Sequence, residues 1–188
     1  KQFKPNVHVL TLSATPIPRT LQSSLFKLKD ISLIKTPPLE RLNIKTHLIL
    51  FDQNSLKEII SSEIDRNGQV FYVAPRISDL EEIKKKVLKI VPNYSFSLLH
   101  GRLKANEIER IYEDFSNNKI QILFTTAVIE SGLDISNVNT IIIEKPYLFG
   151  LAQLYQLRGR VGRSSKQAYA YLILDNIENL KKDTIKKL

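Results

Sequence analysis

Three arginines fall within six residues, at Arg158, Arg160 and Arg163, and Gly159 and Gly162 are interleaved with them. Two glycines would weaken a helix there for no gain, so the segment does not read as a solvated helix face. Guanidinium stays charged and meets phosphate oxygens with a planar fork. The run Gly159-Arg-Val-Gly-Arg163, on a helix end or tight turn, therefore suits a phosphate presented by another domain, where two arginines would stabilise charge developing during transfer. The remaining parts of such a site are absent. None of the six glycines precedes a lysine, which excludes the phosphate-cradling pattern G-x-x-x-x-G-K-[ST]. No Asp-Glu pair follows an apolar strand to hold magnesium and orient a water.

These arginines need a scaffold, and the hydrophobic pattern supplies one. Val7 to Leu12 is a short apolar run that delivers the polar turn Ser13-Ala-Thr15, and Pro16 to Leu28 has helical spacing. Thr36-Pro37-Pro38 ends this part, because consecutive prolines donate neither to a helix nor to a ladder. From Ile44 onward strands alternate with helices. Strands are predicted at 44–51, 69–74, 95–99, 120–125, 140–143 and 168–174, and helices at 55–66, from Ser78, at 104–115 and at 151–157. Ser55 with Glu58, and Ser78 with Glu81, have the spacing of capping boxes. Strands that are apolar on both faces, separated by amphipathic helices, specify an α/β fold with a parallel sheet covered on both sides. Ligands of such open sheets bind outside the carboxyl ends of the strands. Ser13 to Thr15, Pro75-Arg76, His100-Gly101, Thr125-Thr126 and Glu144 all follow strands directly.

Composition narrows the class. The chain has 188 residues, a formal net charge of +9, 43% hydrophobic residues and no Cys, Met or Trp. It is long enough for one compact domain with an attached fragment, and disulfides, thiolate zinc sites and Cys nucleophiles are excluded. A reducing cytoplasm suits it, and no apolar run reaches the length of a membrane span. Residues 1–50 and 151–188 together carry 16 Lys and Arg against 5 Asp and Glu, whereas residues 51–150 carry 12 against 14. Positive charge at the ends fits a polyanion, although Lys181, Lys182, Lys186 and Lys187 read as ordinary solvated surface. The absence of an initiator Met and the polar opening Lys1 to Asn6 suggest a piece of a longer protein.

Taken in order, Ser13-Ala-Thr-Pro-Ile-Pro-Arg-Thr20, Gln69-Val-Phe-Tyr-Val73, Leu99-His-Gly-Arg102, Thr125-Thr-Ala-Val-Ile-Glu-Ser-Gly-Leu-Asp-Ile135 and Gln153-Leu-Tyr-Gln-Leu-Arg-Gly-Arg-Val-Gly-Arg-Ser164 resemble motifs III to VI of superfamily 2 helicases and translocases. The resemblance covers about Val7 to Leu174. Within that superfamily the Thr-Pro-Ile-Pro-Arg-Thr run and the Phe149 to Arg160 run look most like the bacterial transcription-repair coupling factors and the related RecG-type branch-migration helicases. The linker Thr36 to Thr46 tilts toward the coupling factors.

The resemblance implies a RecA-like C-terminal motor lobe that completes an ATP site with magnesium, the metal ligands and the Gly-Lys loop belonging to a preceding lobe. Residues 1–43 would be the end of that lobe and a linker, 44–175 the second lobe, and 176–188 the start of a helical segment. Gln156, Arg160 and Arg163 match motif VI, with Arg163 as the finger on the γ-phosphate. Gly132 and Asp134 match motif V residues beside the nucleotide; on spacing alone Asp134 reads equally as a turn carboxylate. Thr125 and Thr126 match threonines that touch the phosphodiester backbone, and Pro75, Arg76, His100, Gly101 and Arg102 fit backbone-contacting loops. For His100 a half-buried loop histidine is an equal alternative. Ser13, Thr15 and Arg19 match the segment linking nucleotide state to DNA grip, with a plain helix-start ion pair the alternative for Arg19. The function implied is a double-stranded DNA translocase of transcription-coupled repair in the cytoplasm. Its partners would be RNA polymerase and excision-repair proteins, bound through other domains. The alternatives are a fork-regression helicase lobe and a non-catalytic nucleic-acid-binding module. The 188-residue chain alone is expected to hydrolyse no ATP.

Overall fold

The computed structural model describes residues 42–127 and 137–176. The chain divides into two units, Lys1–Thr36 and Pro37–Leu188, and every described residue belongs to the second. The strand and helix expected at 7–12 and 16–28 lie outside the described residues, as do Ser13, Thr15, Arg19, Gly132 and Asp134.

Among the described residues the strands are β1 (Lys45–Leu50), β2 (Gln69–Val73), β3 (Phe96–Leu99), β4 (Ile122–Thr125), β5 (Val138–Glu144) and β6 (Tyr169–Leu174). The helices are α1 (Gln53–Asp65), α2 (Ile77–Ile90), α3 (Ala105–Ser116) and α4 (Leu151–Arg158). The strands form one sheet in the order β1-β6-β5-β2-β4-β3, and every pairing is parallel. Alternation along β2 shows why both faces must be covered. Phe71 and Val73 join a core with Phe115 of α3 and Leu154 and Leu157 of α4, whereas Val70 and Tyr72 join Leu56 and Ile60 of α1 and Leu80 and Val87 of α2. The expected doubly covered parallel sheet is therefore present.

Local details differ from expectation in three places. Helix α1 starts two residues early because Asp52, not Ser55, is the cap: its carboxylate accepts the Ser55 N–H at 2.7 Å. That bond, aided by the other first-turn amides, also holds the Asp52 carboxyl below its usual pKa. At α2 the expected Ser78–Glu81 box does not form. The helix starts at Ile77, which packs against the core, leaving Arg76 at the cap without a side-chain bond and the Ser78 hydroxyl donating to Asp79. Finally, β1 is not apolar on both faces. Among the described residues it is one of the two edge strands, with Leu48 and Leu50 nearly half exposed.

A candidate two-edged motor site

Register brings the carboxyl ends of three strands together. Val73 pairs with Thr125 and Thr125 with Leu99, so Pro75-Arg76, Thr126 and His100-Gly101-Arg102 emerge side by side. The Ala74 N–H donates to the Thr125 carbonyl at 2.8 Å and fixes the exit of β2 against that of β4. Arg76, Gly101 and Arg102 are exposed, and Pro75, His100 and Thr126 are half-buried. Thr125 is fully buried, and its hydroxyl donates to the Thr126 carbonyl at 3.0 Å, which leaves Thr126 the surface threonine of the pair. His100 Nδ1 is buried and has no hydrogen-bond partner.

Beneath this edge Glu144 ends β5 as a buried carboxylate, and the Tyr72 hydroxyl donates to its Oε1 at 2.6 Å. Burial pushes the Glu144 carboxyl above its ordinary range, with the Tyr72 bond opposing the rise. Burial and the Glu144 charge together push the Tyr72 phenol well up. A raised carboxyl binds its proton more tightly in the fold than in the unfolded chain. Its contribution to stability is therefore lost as pH rises from about 4.5 through the raised value. Glu144→Gln keeps an acceptor for Tyr72 and removes the buried charge. The expected result is a gain of roughly 1 kcal/mol at neutral pH, or about 3 °C, and a flatter stability profile above pH ~4.5. Thermal melting across that range checks it, and a lower melting temperature at neutral pH would refute it.

The arginines lie at the other edge. Helix α4 leaves the carboxyl side of β5 and runs back along the sheet, so its C-terminal end reaches the strands' amino ends. Gln156 and Arg160 are half-buried, Val161 is buried in the core and Arg163 is exposed. The Gly159 N–H closes the helix on the Tyr155 carbonyl at 3.0 Å. Gly162 has φ +74°, its N–H donates to the carbonyl of Val138, the first residue of β5, and a Cβ there would stand 3.0 Å from the Ala168 Cβ. Glycine is thus required just before Arg163 for both conformation and space. The Ser164 hydroxyl then donates to Asn139 Oδ1 at 2.6 Å.

The predicted site residues therefore fall into two sets separated by a strand's length, about 13–20 Å. Pro75, Arg76, His100, Gly101, Arg102, Thr125 and Thr126 gather at the carboxyl edge, and Gln156, Arg160 and Arg163 at the amino edge. The segment 128–136, which carries Gly132 and Asp134, links β4 to the amino end of β5. Gln69, the first residue of the Gln69 to Val73 motif run, has a structural role that the motif does not indicate: its buried Nε2 donates to the Phe115 and Ile120 carbonyls, both at 2.7 Å, tying the end of α3 to the start of β2. No helix among the described residues is long and apolar enough to cross a membrane.

A parallel sheet with helices on both faces and a Gly-Arg-x-Gly-Arg turn beside its amino edge is the architecture of the C-terminal, RecA-like lobe of a helicase motor. The chain belongs to the family of the helicase conserved C-terminal domain, whose pattern matches residues 52–165. It is 45% identical over its whole length to the transcription-repair-coupling factor of Rickettsia bellii, covering 17% of that protein. It is 50% identical to a chloroplastic ATP-dependent DNA helicase of Arabidopsis thaliana, with 99% of this chain and 23% of that protein aligned. The chain thus spans about a fifth of the length of these relatives. Among solved structures, RecG bound to a three-way DNA junction superposes with a TM-score of 0.77 at 36% identity, over 93% of this chain and 23% of RecG. Saccharomyces cerevisiae Dbp5 bound to RNA and ADP BeF3 superposes with a TM-score of 0.64 at 16% identity, over 93% of this chain and 46% of Dbp5, a likeness of fold.

Proposed function

We propose that this chain is the second motor lobe of an ATP-dependent double-stranded DNA translocase that displaces stalled RNA polymerase in transcription-coupled repair. The observation that carries the proposal is the separation of the two residue sets onto opposite edges of one sheet. A motor lobe must hold a strand and a nucleotide at once without either occupying the other's place. On this proposal Arg76, His100, Arg102 and Thr126 meet the phosphodiester backbone at the carboxyl edge, with Thr125 supporting Thr126 from beneath. Arg160 and Arg163, with Gln156, face the triphosphate at the amino edge, together with Gly132 and Asp134. The donor set fits phosphate: two guanidiniums on a turn fixed to the sheet. On this proposal the magnesium ligands belong to the preceding lobe.

ATP would supply the phosphoryl group and its free energy. This chain's residues would orient the γ-phosphate and stabilise charge developing on it, which is electrostatic work for which fixed arginines are suited. Residues 1–43 would complete the preceding lobe and linker, with Ser13, Thr15 and Arg19 transmitting nucleotide state. Residues 176–188 would open a helical segment. The protein would act in the cytoplasm, meeting RNA polymerase and excision-repair proteins through other domains, and the 188-residue chain alone would hydrolyse no ATP. The likeness to RecG supports a second reading, a fork-regression lobe. ATP-driven release of a stalled polymerase from DNA by the full-length protein, with no regression of a model fork, separates the two; the reverse pattern selects the second.

The carboxyl edge leads to a measurable expectation. Duplex binding should be indifferent to sequence and should weaken with salt, the log-log slope falling by about 0.9 for each phosphate contact removed. Arg76→Ala and Arg102→Ala should each flatten the slope by roughly that amount for every duplex tested. Salt-independent binding, or a preference between unrelated duplexes, would count against this edge as the DNA contact.

A further inference from the structure

The last turn of α1 lies at the amino edge and grips the chain on both sides of the arginine turn. Glu63 is buried, and its carboxylate accepts from Arg66 Nε at 3.0 Å, from a second Arg66 nitrogen and from the Thr140 hydroxyl on β5. Held in that way, Arg66 extends its remaining nitrogen to the Gln167 carbonyl at 2.7 Å, 101 residues away, while its guanidinium lies over the Tyr169 ring. The Lys166 ammonium returns the contact by donating to the Arg66 carbonyl at 2.7 Å. Two charge-assisted bonds of opposite direction thus clamp residues 166–167, three and four positions after Arg163. The next residue of the same turn, Asn67, accepts from Asn137 Nδ2 at 3.1 Å, where the chain returns from the segment carrying Gly132 and Asp134.

A buried ion pair by itself is a weak source of net stability, because desolvation offsets most of the attraction. Its geometry, by contrast, is restrictive: a planar fork anchored on Glu63 can reach the Gln167 carbonyl in one orientation. We propose that Arg66, oriented by Glu63 and answered by Lys166, is a positioning residue that sets where Arg163 stands relative to the triphosphate. This inference rests on the nucleotide role of the amino edge. Small displacements of a charge-stabilising group are expensive to catalysis, about a hundredfold for 1 Å.

The test uses the full-length protein with Arg66→Met, Lys166→Met and Arg163→Ala in parallel. The readouts are kcat and KM for ATP with saturating DNA, duplex affinity and melting temperature. Both clamp variants should lose roughly tenfold or more in kcat, with KM for ATP and duplex affinity within about threefold of the parent. Arg66→Met leaves the buried Glu63 carboxylate without its counterion and lowers the melting temperature by itself, so general loosening of the lobe is read from duplex affinity: a loss of DNA affinity matching the loss of kcat in both variants overturns the proposal. So does kcat within twofold of the parent in both variants while Arg163→Ala collapses turnover. If Arg163→Ala itself turns over normally, the nucleotide role fails, and this inference fails with it. Lys166 is only half-buried, so Lys166→Met carries the test should Arg66→Met not fold.

Discussion

Replacing Arg163 with Ala in the full-length protein is expected to lower ATP turnover by roughly a thousandfold or more while changing ATP affinity far less. The side chain is exposed, so its removal leaves no cavity and exposes no core. Its backbone is fixed by Gly162 bonded to the start of β5 and by Ser164 bonded to Asn139, so the guanidinium is carried on the sheet rather than on a loose loop. A group held ready where charge will develop acts mainly on the transition state, which is why kcat should bear the loss. Lys should not rescue the position, since a point charge lacks the forked geometry. Turnover is to be measured with and without DNA, beside the 188-residue chain alone. Near-parent turnover of Arg163→Ala would remove the finger assignment, and robust turnover by the short chain would overturn the two-lobe requirement.

The alternation of strand and helix was legible because each element carries its own periodicity. The strand starts and ends at all six strands, β1 to β6, fall within two residues of the apolar runs that predict them. What escaped were features set by groups distant in sequence or by competition at element ends. Asp52 outcompeted Ser55 as a cap because it already stood in extended backbone at the end of β1. The exposure of β1 follows from strand order, which its apolar sequence does not encode. The motifs identified candidate residues, yet their division between two edges depends on α4 running the length of the sheet before the arginines appear. The Glu63–Arg66 clamp left no motif at all. At i and i+3 it resembles an ordinary surface helix pair, and its partners Thr140 and Gln167 lie 77 and 101 residues on.

Gly68→Ala is expected to produce the largest loss of stability from a single added methyl group, about 3–5 kcal/mol. Gly68 follows the last turn of α1, and its N–H donates to the Glu63 carbonyl at 2.9 Å. A Cβ at this position would overlap the Glu63 carboxylate itself. An exposed glutamate would swing aside at little cost. Glu63 is buried and accepts from Arg66 and Thr140, so displacing it breaks those bonds and leaves a carboxylate in the core without its counterion. The cause is separable from any general intolerance of alanine by a double-mutant cycle. Glu63→Ala should itself be destabilising, but adding Gly68→Ala to it should cost little, because the overlapping group is gone. Chemical denaturation of the four proteins checks this. Additive losses would place the penalty in the backbone of residue 68 rather than in its overlap with Glu63, whereas strong non-additivity makes the absence of a side chain at Gly68 a condition for the buried carboxylate on which the Arg66 clamp is built.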